Sequence, residues 1–372
     1  MAKQTSYVGI DLGGSSLKIV EMREVNGRPQ LATYGFADQI PNIIKEDGSA
    51  AVQEVALHLK ELLKESKVGT DRAVAALPSF SVFSSIINLP AMSKKDLESA
   101  VRWEAKKFVP IPLEEMILDW EVLKEAVVTG AGAVVERAPG SAEEQEDTKK
   151  KEKDDRQLKG NVRVLLTAAP KNLVNRYVAV FKEVGLQLVG LETESFALER
   201  ALVGNDKNPV MVIDVGGSST SIVIYSEGVP ILNRSIDVGG VMVTKAVVES
   251  SGLPAEQAEQ LKRDIGASGI DSPLDQLPQP IRYLVNSIVN EVRYIVNIYQ
   301  SQNKRPVSKI ILTGGSSFLV DIPSYLQKIF NIKAYIGDPW ARVVHPVEID
   351  DLLKQLGPRL AVAIGLSMRE IV

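Results

Sequence analysis

Two segments of the chain carry the same short string of chemistry-bearing residues. Residues 10–20 read IDLGGSSLKIV and residues 213–223 read IDVGGSSTSIV, identical at eight of eleven positions at an offset of 203. A third glycine pair, TGGSS, stands at 313–317 after the strand-like run IILT. Glycines at a tight hairpin let the backbone approach a phosphate, and consecutive N–H groups there form an anion-binding concavity. The hydroxyls of Ser15 and Ser16, or of Ser218 and Ser219, add donors. A carboxylate beside the turn, Asp11 or Asp214, can hold Mg²⁺ through water, and Lys18 can neutralise phosphate charge. One copy alone reads equally as a hairpin needing a positive φ. Turn geometry does not require the Asp and both serines to recur, however. Neither G-x-x-x-x-G-K-[ST] nor a G-x-G-x-x-G after a strand is present. Two phosphate hairpins and a distal glycine pair imply a nucleotide clamped between two lobes.

Composition narrows the remaining chemistry. The 372 residues contain no cysteine, which removes disulfides, thiolate metal sites and cysteine nucleophiles, and which fits a reducing compartment. Of the two histidines, His58 falls on the polar face of a helical pattern and His345 precedes Pro346 in a loop, so a His-dependent triad or metal centre is not expected. A net charge of −4 argues against nucleic acid as partner. The N-terminus MAKQTSYVGI lacks the apolar run of a secretory signal, and no stretch is apolar for long enough to span a membrane.

The elements that must position these residues alternate between strands and helices. Val8, Ile10 and Leu12 alternate before the first glycines, and Leu17, Ile19 and Glu21 after them. Helices are predicted near 50–66, 94–108, 171–184, 195–202, 239–251, 255–265, 280–302, 322–330 and 359–369, with Ser93 capping the second. Strands are predicted at 73–77, 81–90, 117–125, 161–168, 186–192, 309–313 and 332–336. Residues 143–156 hold twelve charges in fourteen positions, so 126–160 reads as a disordered loop, with a charged docking arm as the alternative. The fold class is α/β, with antiparallel hairpins mixed into the sheets.

These motifs resemble the actin, sugar-kinase and heat-shock-chaperone ATPase superfamily. ILTGGSSFL (311–319) is similar to its adenosine motif, and TESFALERAL (193–202) and RLAVAIGLS (359–367) to its connecting helices. Within it, INLPAMSKKDLESAVRWEAKKFVPIPLEEMILDWEVL (87–123) and AEQLKRDIG (258–266) most resemble the PilM family of type IV pilus assembly proteins, in the FtsA-like subgroup. The resemblance implies an actin-like ATPase fold: a first lobe over 1–77 and 169–195, a small α+β domain inserted at 78–168, and a second lobe over 196–372 with 238–308 as its outer subdomain. It also implies ATP and Mg²⁺ as cofactors. Asp11 and Asp214 would hold the metal shell. Gly13, Gly14, Ser15, Ser16 and Lys18 would meet one side of the phosphates, and Gly216, Gly217, Ser218 and Ser219 the other. Gly314, Gly315 and Ser317 would bound the adenosine pocket, with Glu259 and Lys262 on ribose or base; without the resemblance, those two read as a solvated helix face. Glu194 would orient the attacking water, with Glu192 as competitor and a helix-capping role for Thr193 or Glu194 as the alternative.

The implied function is an ATP-binding cytosolic scaffold, peripheral to the inner membrane, that binds the cytoplasmic N-terminal tail of PilN and hydrolyses ATP slowly at most. The expected receptor is a groove between the first lobe and the inserted domain, near Val82–Leu89 and the helix 94–108, unless that surface serves domain packing alone. Oligomeric state and self-association stay open. Two rival readings are an FtsA-like filament-forming division protein and a small-molecule kinase. The sequence ends soon after its last predicted helix, where FtsA-like proteins continue into a linker and an amphipathic membrane-targeting helix, which disfavours the first. No second substrate pocket with a carboxylate base is identified, which disfavours the other.

Overall fold

The computed structural model describes residues 5–38, 48–109, 111–125, 161–267, 278–302, 305–319 and 321–371. The segment 126–160, read from the sequence as a disordered loop, lies outside the described residues. The chain forms two compact units, Met1–Ser81 with Asn172–Val372, and Val82–Lys171.

The first unit opens with β1 (Ser6–Leu12), β2 (Ser16–Val25) and β3 (Arg28–Asp38), an antiparallel meander. Helix α1 (Ser49–Glu65) buries Ala51, Val55, Ala56, Leu59 and Leu62, and leads into β4 (Arg72–Leu77), parallel to β1. The second unit then forms a three-stranded antiparallel sheet, order β5-β7-β6, from β5 (Phe83–Pro90), β6 (Met116–Glu125) and β7 (Asn161–Pro170). Helix α2 (Lys94–Phe108) covers it through Leu97, Val101 and Ala105. Ser93 caps α2 as the sequence predicts, its Oγ accepting from the Asp96 amide at 3.3 Å.

After α3 (Lys171–Val184), β8 (Gln187–Thr193) completes the first sheet in the order β3-β2-β1-β4-β8. Helix α4 (Glu194–Leu198) runs into a π-type turn over Glu199–Val203, a break in the helix predicted at 195–202. A second sheet then repeats the pattern of the first. Its strands are β9 (Val210–Val215), β10 (Thr220–Ser226), β11 (Val229–Ile236), β12 (Lys309–Thr313) and β13 (Lys333–Ile336), in the order β11-β10-β9-β12-β13. In each sheet three antiparallel strands are followed by two parallel ones, so the repeated hairpin motif occupies the same place twice.

Helices α5 (Gly240–Ser251), α6 (Ala255–Ala267) and α7 (Gln279–Gln302) intervene between β11 and β12. The predicted stripe of α7, from Ile281 to Tyr299, is buried against Met211, Ile213, Ile222, Ile310 and Leu312. Each such side chain contributes about 1.5–3 kcal/mol by leaving water. Helix α8 (Ile322–Phe330) follows β12.

The edge strands β3 and β11 escape the sequence reading because neither alternates cleanly. β3 contains Pro29 and Gly35, β11 has Pro230 at its second position, and both are only half-buried. The last helix corrects the prediction of 359–369. It is α9 (Asp350–Met368), with Pro358 inside it. A proline is normally a start signal, yet here it sits mid-helix, without the N–H that would bond the Lys354 carbonyl. The Pro358 carbonyl accepts from Thr313 Oγ1 at 3.0 Å and from the Gly314 amide at 2.9 Å, seating the third glycine loop on the helix. Helix α9 lies on β1 and β2 and crosses α4 so closely that a Cβ on Gly365 would fall 1.8 Å from the Ala197 carbonyl oxygen.

Candidate functional site

The two glycine hairpins make the same turn. The Gly13 amide bonds the Ser16 carbonyl at 3.0 Å, and the Gly216 amide bonds the Ser219 carbonyl at 3.0 Å. None of Gly13, Gly14, Gly216 and Gly217 has a positive φ, and at Gly13 and Gly216 it is close approach that calls for glycine, a Cβ falling 2.9 Å from the Ser16 and Ser219 carbonyl oxygens. A Cβ on Gly217 would lie 2.2 Å from Ser15 Oγ, so the hairpins of the two sheets abut. The third loop closes on them. Gly314 has φ +91°, and a Cβ there would lie 2.3 Å from Asp214 Oδ1, whereas one on Gly315 meets nothing nearer than Arg359 Cγ at 3.7 Å.

Charge converges at this junction. In the β1–β2 register Asp11 faces Lys18, whose Nζ donates to Asp11 Oδ2 at 2.9 Å. In the second hairpin Asp214 faces Ser221, so that lobe brings a carboxylate without a lysine. Burial pushes Asp214 up to about 6, with Lys18 opposing and the Asp11 charge adding. Glu194, at the start of α4, accepts from the Ser79 amide at 3.0 Å. Burial lifts it to about 8, the negative charges of Asp11 and Asp214 reinforce this, and the Ser79 bond and Lys18 oppose it. Three carboxylates therefore share one lysine. Such a donor set suits a cation. Among the described residues no three acidic or histidine side chains converge tightly enough to ligate a metal directly. A hydrated Mg²⁺, which keeps most of its waters, fits that arrangement.

Glu192 is placed differently from Glu194. It is ion-paired with Arg200 and, at 3.4 Å, with Arg369, and Arg200 also donates to the Gly365 carbonyl at 3.0 Å. Burial raises its pKa against the pull of those arginines. Thr193 makes no capping hydrogen bond to α4; its hydroxyl pairs with that of Ser195 at 2.7 Å.

The AEQLKRDIG helix is not a solvated face at Lys262. Lys262 is buried, its Nζ donating to Glu259 Oε2 at 2.6 Å, to Thr244 Oγ1 at 3.0 Å and to the Gly240 carbonyl at 3.4 Å. Burial would raise Glu259, but the Lys262 and Thr244 hydrogen bonds and the charges of Lys262 and Arg263 outweigh it and hold Glu259 low. The amides of Gly240 and Val241 at the start of α5 bond the carbonyls of Gly216 and Gly217, which ties this cluster to the second hairpin. Ser317 is fully buried, its hydroxyl bonding the Gly314 carbonyl at 2.8 Å, so it shapes the third loop from behind.

Ser79, Thr244 and Tyr177 at the site had no signal in the sequence, and Ser316 stood in the third glycine motif without a role. Ser79 and Thr244 hold Glu194 and Lys262, and Ser316 Oγ donates to the Gly216 carbonyl at 3.3 Å. Tyr177 is fully buried in α3 with its hydroxyl unbonded among the described residues, and burial, then the charges of Glu194 and Asp11, push its pKa up. In the sequence it is one more apolar position of an amphipathic helix. In the second unit, the end of α2 borders a hollow of about 340 Å³ lined by Lys106, Val109, Ile111, Pro112, Leu113 and Glu114, and β5 is an edge strand. No described helix is long and apolar enough to cross a membrane.

Comparison with known proteins agrees with this architecture. The family described as Type IV pilus assembly protein PilM matches residues 9–135 and 151–371. Among solved structures, a PilM-PilN type IV pilus biogenesis complex superposes with a TM-score of 0.78 at 26% identity, covering 98% of both chains. The ethanolamine utilization protein EutJ from Carboxydothermus hydrogenoformans shares the fold at 15% identity and a TM-score of 0.52, over 98% of this chain and 89% of that one. The cell division protein FtsA of Neisseria meningitidis serogroup B is 24% identical over 98% of this chain and 90% of its own length. The fold is the actin-like ATPase fold.

Proposed function

The chain belongs to the PilM family of type IV pilus assembly proteins, and on that premise we propose that it is an ATP-binding scaffold that captures the N-terminal tail of PilN. One observation carries the nucleotide reading: Asp11, Asp214 and Glu194 share Lys18 where two glycine hairpins abut. The hairpin amides and the hydroxyls of Ser15, Ser16, Ser218 and Ser219 bind the phosphates. Lys18 balances their charge, and Asp11 and Asp214 hold the metal's water shell. Bound Mg²⁺ supplies neutralisation of the phosphate oxygens. The adenosine lies against Gly314 and Gly315, with Glu259 and Lys262 beside it.

Glu194 is the residue that orients a water, since Glu192 is engaged by two arginines. Among the described residues the charges that weigh most on Glu194 and Asp214 are those of Asp11 and Lys18, and for Glu194 also Asp214. Hydrolysis is accordingly slow, and bound nucleotide acts by favouring the closed arrangement of the lobes. The PilN tail, in extended form, engages the edge of β5 and the hollow at the end of α2, whose lining mixes Val109, Ile111 and Leu113 with Lys106 and Glu114. The name of the superposed complex supports the choice of partner.

Calorimetric titration with Mg-ATP tests the reading. The parent binds, and Asp11→Ala and Asp214→Ala each lose at least tenfold in affinity; unchanged affinity in both variants would refute it. A PilN-tail peptide titrated with and without Mg-ATP must shift nucleotide affinity by the factor by which nucleotide shifts its own. The FtsA similarity supports a second reading, a filament-forming protein, which sedimentation of the Mg-ATP form as polymer would favour.

A further inference from the structure

The last residue of β3 makes contacts that neither phosphate nor metal binding requires. Asp38 divides its carboxylate between two arginines from different elements. Oδ1 accepts from Arg359 of α9, and Oδ2 lies 3.6 Å from Arg263 of α6. The two partners are unequally held. Arg359 is mostly buried and stacks 3.9 Å from the ring centre of Phe36, two residues before Asp38 on the same strand. Its neighbour Pro358 seats the third glycine loop. Arg263 is half-exposed and leans on Glu259 at 3.3 Å, one turn back on α6. Arg359 thus fixes Asp38, and Arg263 is the partner free to leave.

The contacts join into a chain around the candidate adenosine pocket. It runs from the third loop through Pro358 and Arg359 to Asp38, crosses to Arg263, and continues through Glu259 and Lys262 to Gly240 at the second hairpin. The Asp38–Arg263 step joins the edge strand of the first sheet to helix α6, as the Asp38–Arg359 step joins it to α9. Of the ion pairs in this chain Asp38–Arg263 is the longest and the most exposed.

Resting on the nucleotide reading above, we propose that Asp38 is the clasp of the cleft: its ion pair with Arg263 holds the lobes closed over bound nucleotide and sets the rate at which nucleotide leaves. An ion pair across an opening raises the barrier to opening while leaving the open state's access to ligand unchanged. The effect therefore falls on dissociation. It is of the order of one exposed ion pair, and salt screens it.

The test is a stopped-flow chase of fluorescently labelled Mg-ATP from the full chain. Asp38→Asn, which keeps the shape and removes the charge, should speed release about three- to tenfold with association changed less than twofold. Arg263→Ala should do the same, and the double variant should be no faster than either single one. Raised salt should speed release from the parent and not from Asp38→Asn. Binding with unchanged release in Asp38→Asn overturns the clasp and leaves the nucleotide reading standing. Failure of the parent to bind overturns the nucleotide reading, and a ligand-free measurement then decides the clasp. Because the chain has no cysteine, thiols introduced at Lys64 and Glu249 are the sole sites for a spin-label pair across the lobes. Broadening of their distance distribution by Asp38→Asn supports the clasp; an unchanged distribution overturns it.

Discussion

Replacing Glu194 by Gln should stabilise the ligand-free protein, increasingly so as pH rises. Glu194 feels the negative charges of Asp11 and Asp214, and the lysine that opposes them, Lys18, is already bonded to Asp11. Its folded-state pKa of about 8 lies above the unfolded value of 4.5, so over that interval the folded chain retains a proton that the unfolded chain has released. Stability contributed by this group is present at low pH and is lost as pH rises through about 8. The full displacement corresponds to about 5 kcal/mol at about 1.36 kcal/mol per pH unit. The residue as a whole is only half-buried, and local relaxation reduces the effect, so about 2–3 kcal/mol is the expected gain for Glu194→Gln near pH 9. The amide oxygen of the substituted side chain can still accept from the Ser79 N–H, so the change removes charge with little loss of hydrogen bonding. Guanidinium denaturation of both proteins between about pH 6 and pH 9 is the assay. The parent should lose about 1–2 kcal/mol relative to the variant across that range. Parallel curves, or a variant less stable than the parent at high pH, would show that Glu194 carries no burial penalty and that the cluster has been misread.

Glu192→Gln, two residues away, should do the opposite, destabilising by about 2–4 kcal/mol at neutral pH by removing the counter-charge of Arg200, while Arg369 keeps Glu370; a Tm equal to the parent's would count against the pairing. The adjacent glycines of the third loop should separate as cleanly. Gly314→Ala should cost about 2–4 kcal/mol, from a positive φ and a clash with Asp214 and the Val215 carbonyl, and should abolish Mg-ATP binding. Gly315→Ala, whose methyl would make only an ordinary contact with Arg359 Cγ at 3.7 Å, should stay within about 0.5 kcal/mol in thermal denaturation.

Much of the fold was legible in the sequence because it rests on local periodicity. The repeated IDxGGSS hairpins, the stripe of α7, the cap at Ser93 and the alternation of strands and helices are patterns of spacing and side-chain chemistry, and these dictate elements before any long-range contact forms. The duplication also announced two lobes, since matched hairpins must occupy matched places in two sheets. The edge strands β3 and β11 lacked such a pattern, being half-buried and interrupted by proline or glycine. The start of α9 was hidden because Pro358, a residue that normally opens a helix, sits inside it.

At the site, residue types identified the candidates, but only tertiary structure assigned their states. Glu192 and Glu194 look interchangeable in the sequence, as do Gly314 and Gly315. What separates them is which charges and atoms the fold sets around each: two arginines for one glutamate and the charges of two aspartates for the other, the Asp214 carboxylate against one glycine and an ordinary contact with Arg359 for the next. Lys262 lies inside rather than on a wet helix face for the same reason. Tyr177 and Asp38 were invisible, one as an apolar position in a helix and the other as the end of an unrecognised strand. Electrostatic environment is a property of neighbours in space, and the residues that set it here stand between 3 and 321 positions apart in the chain.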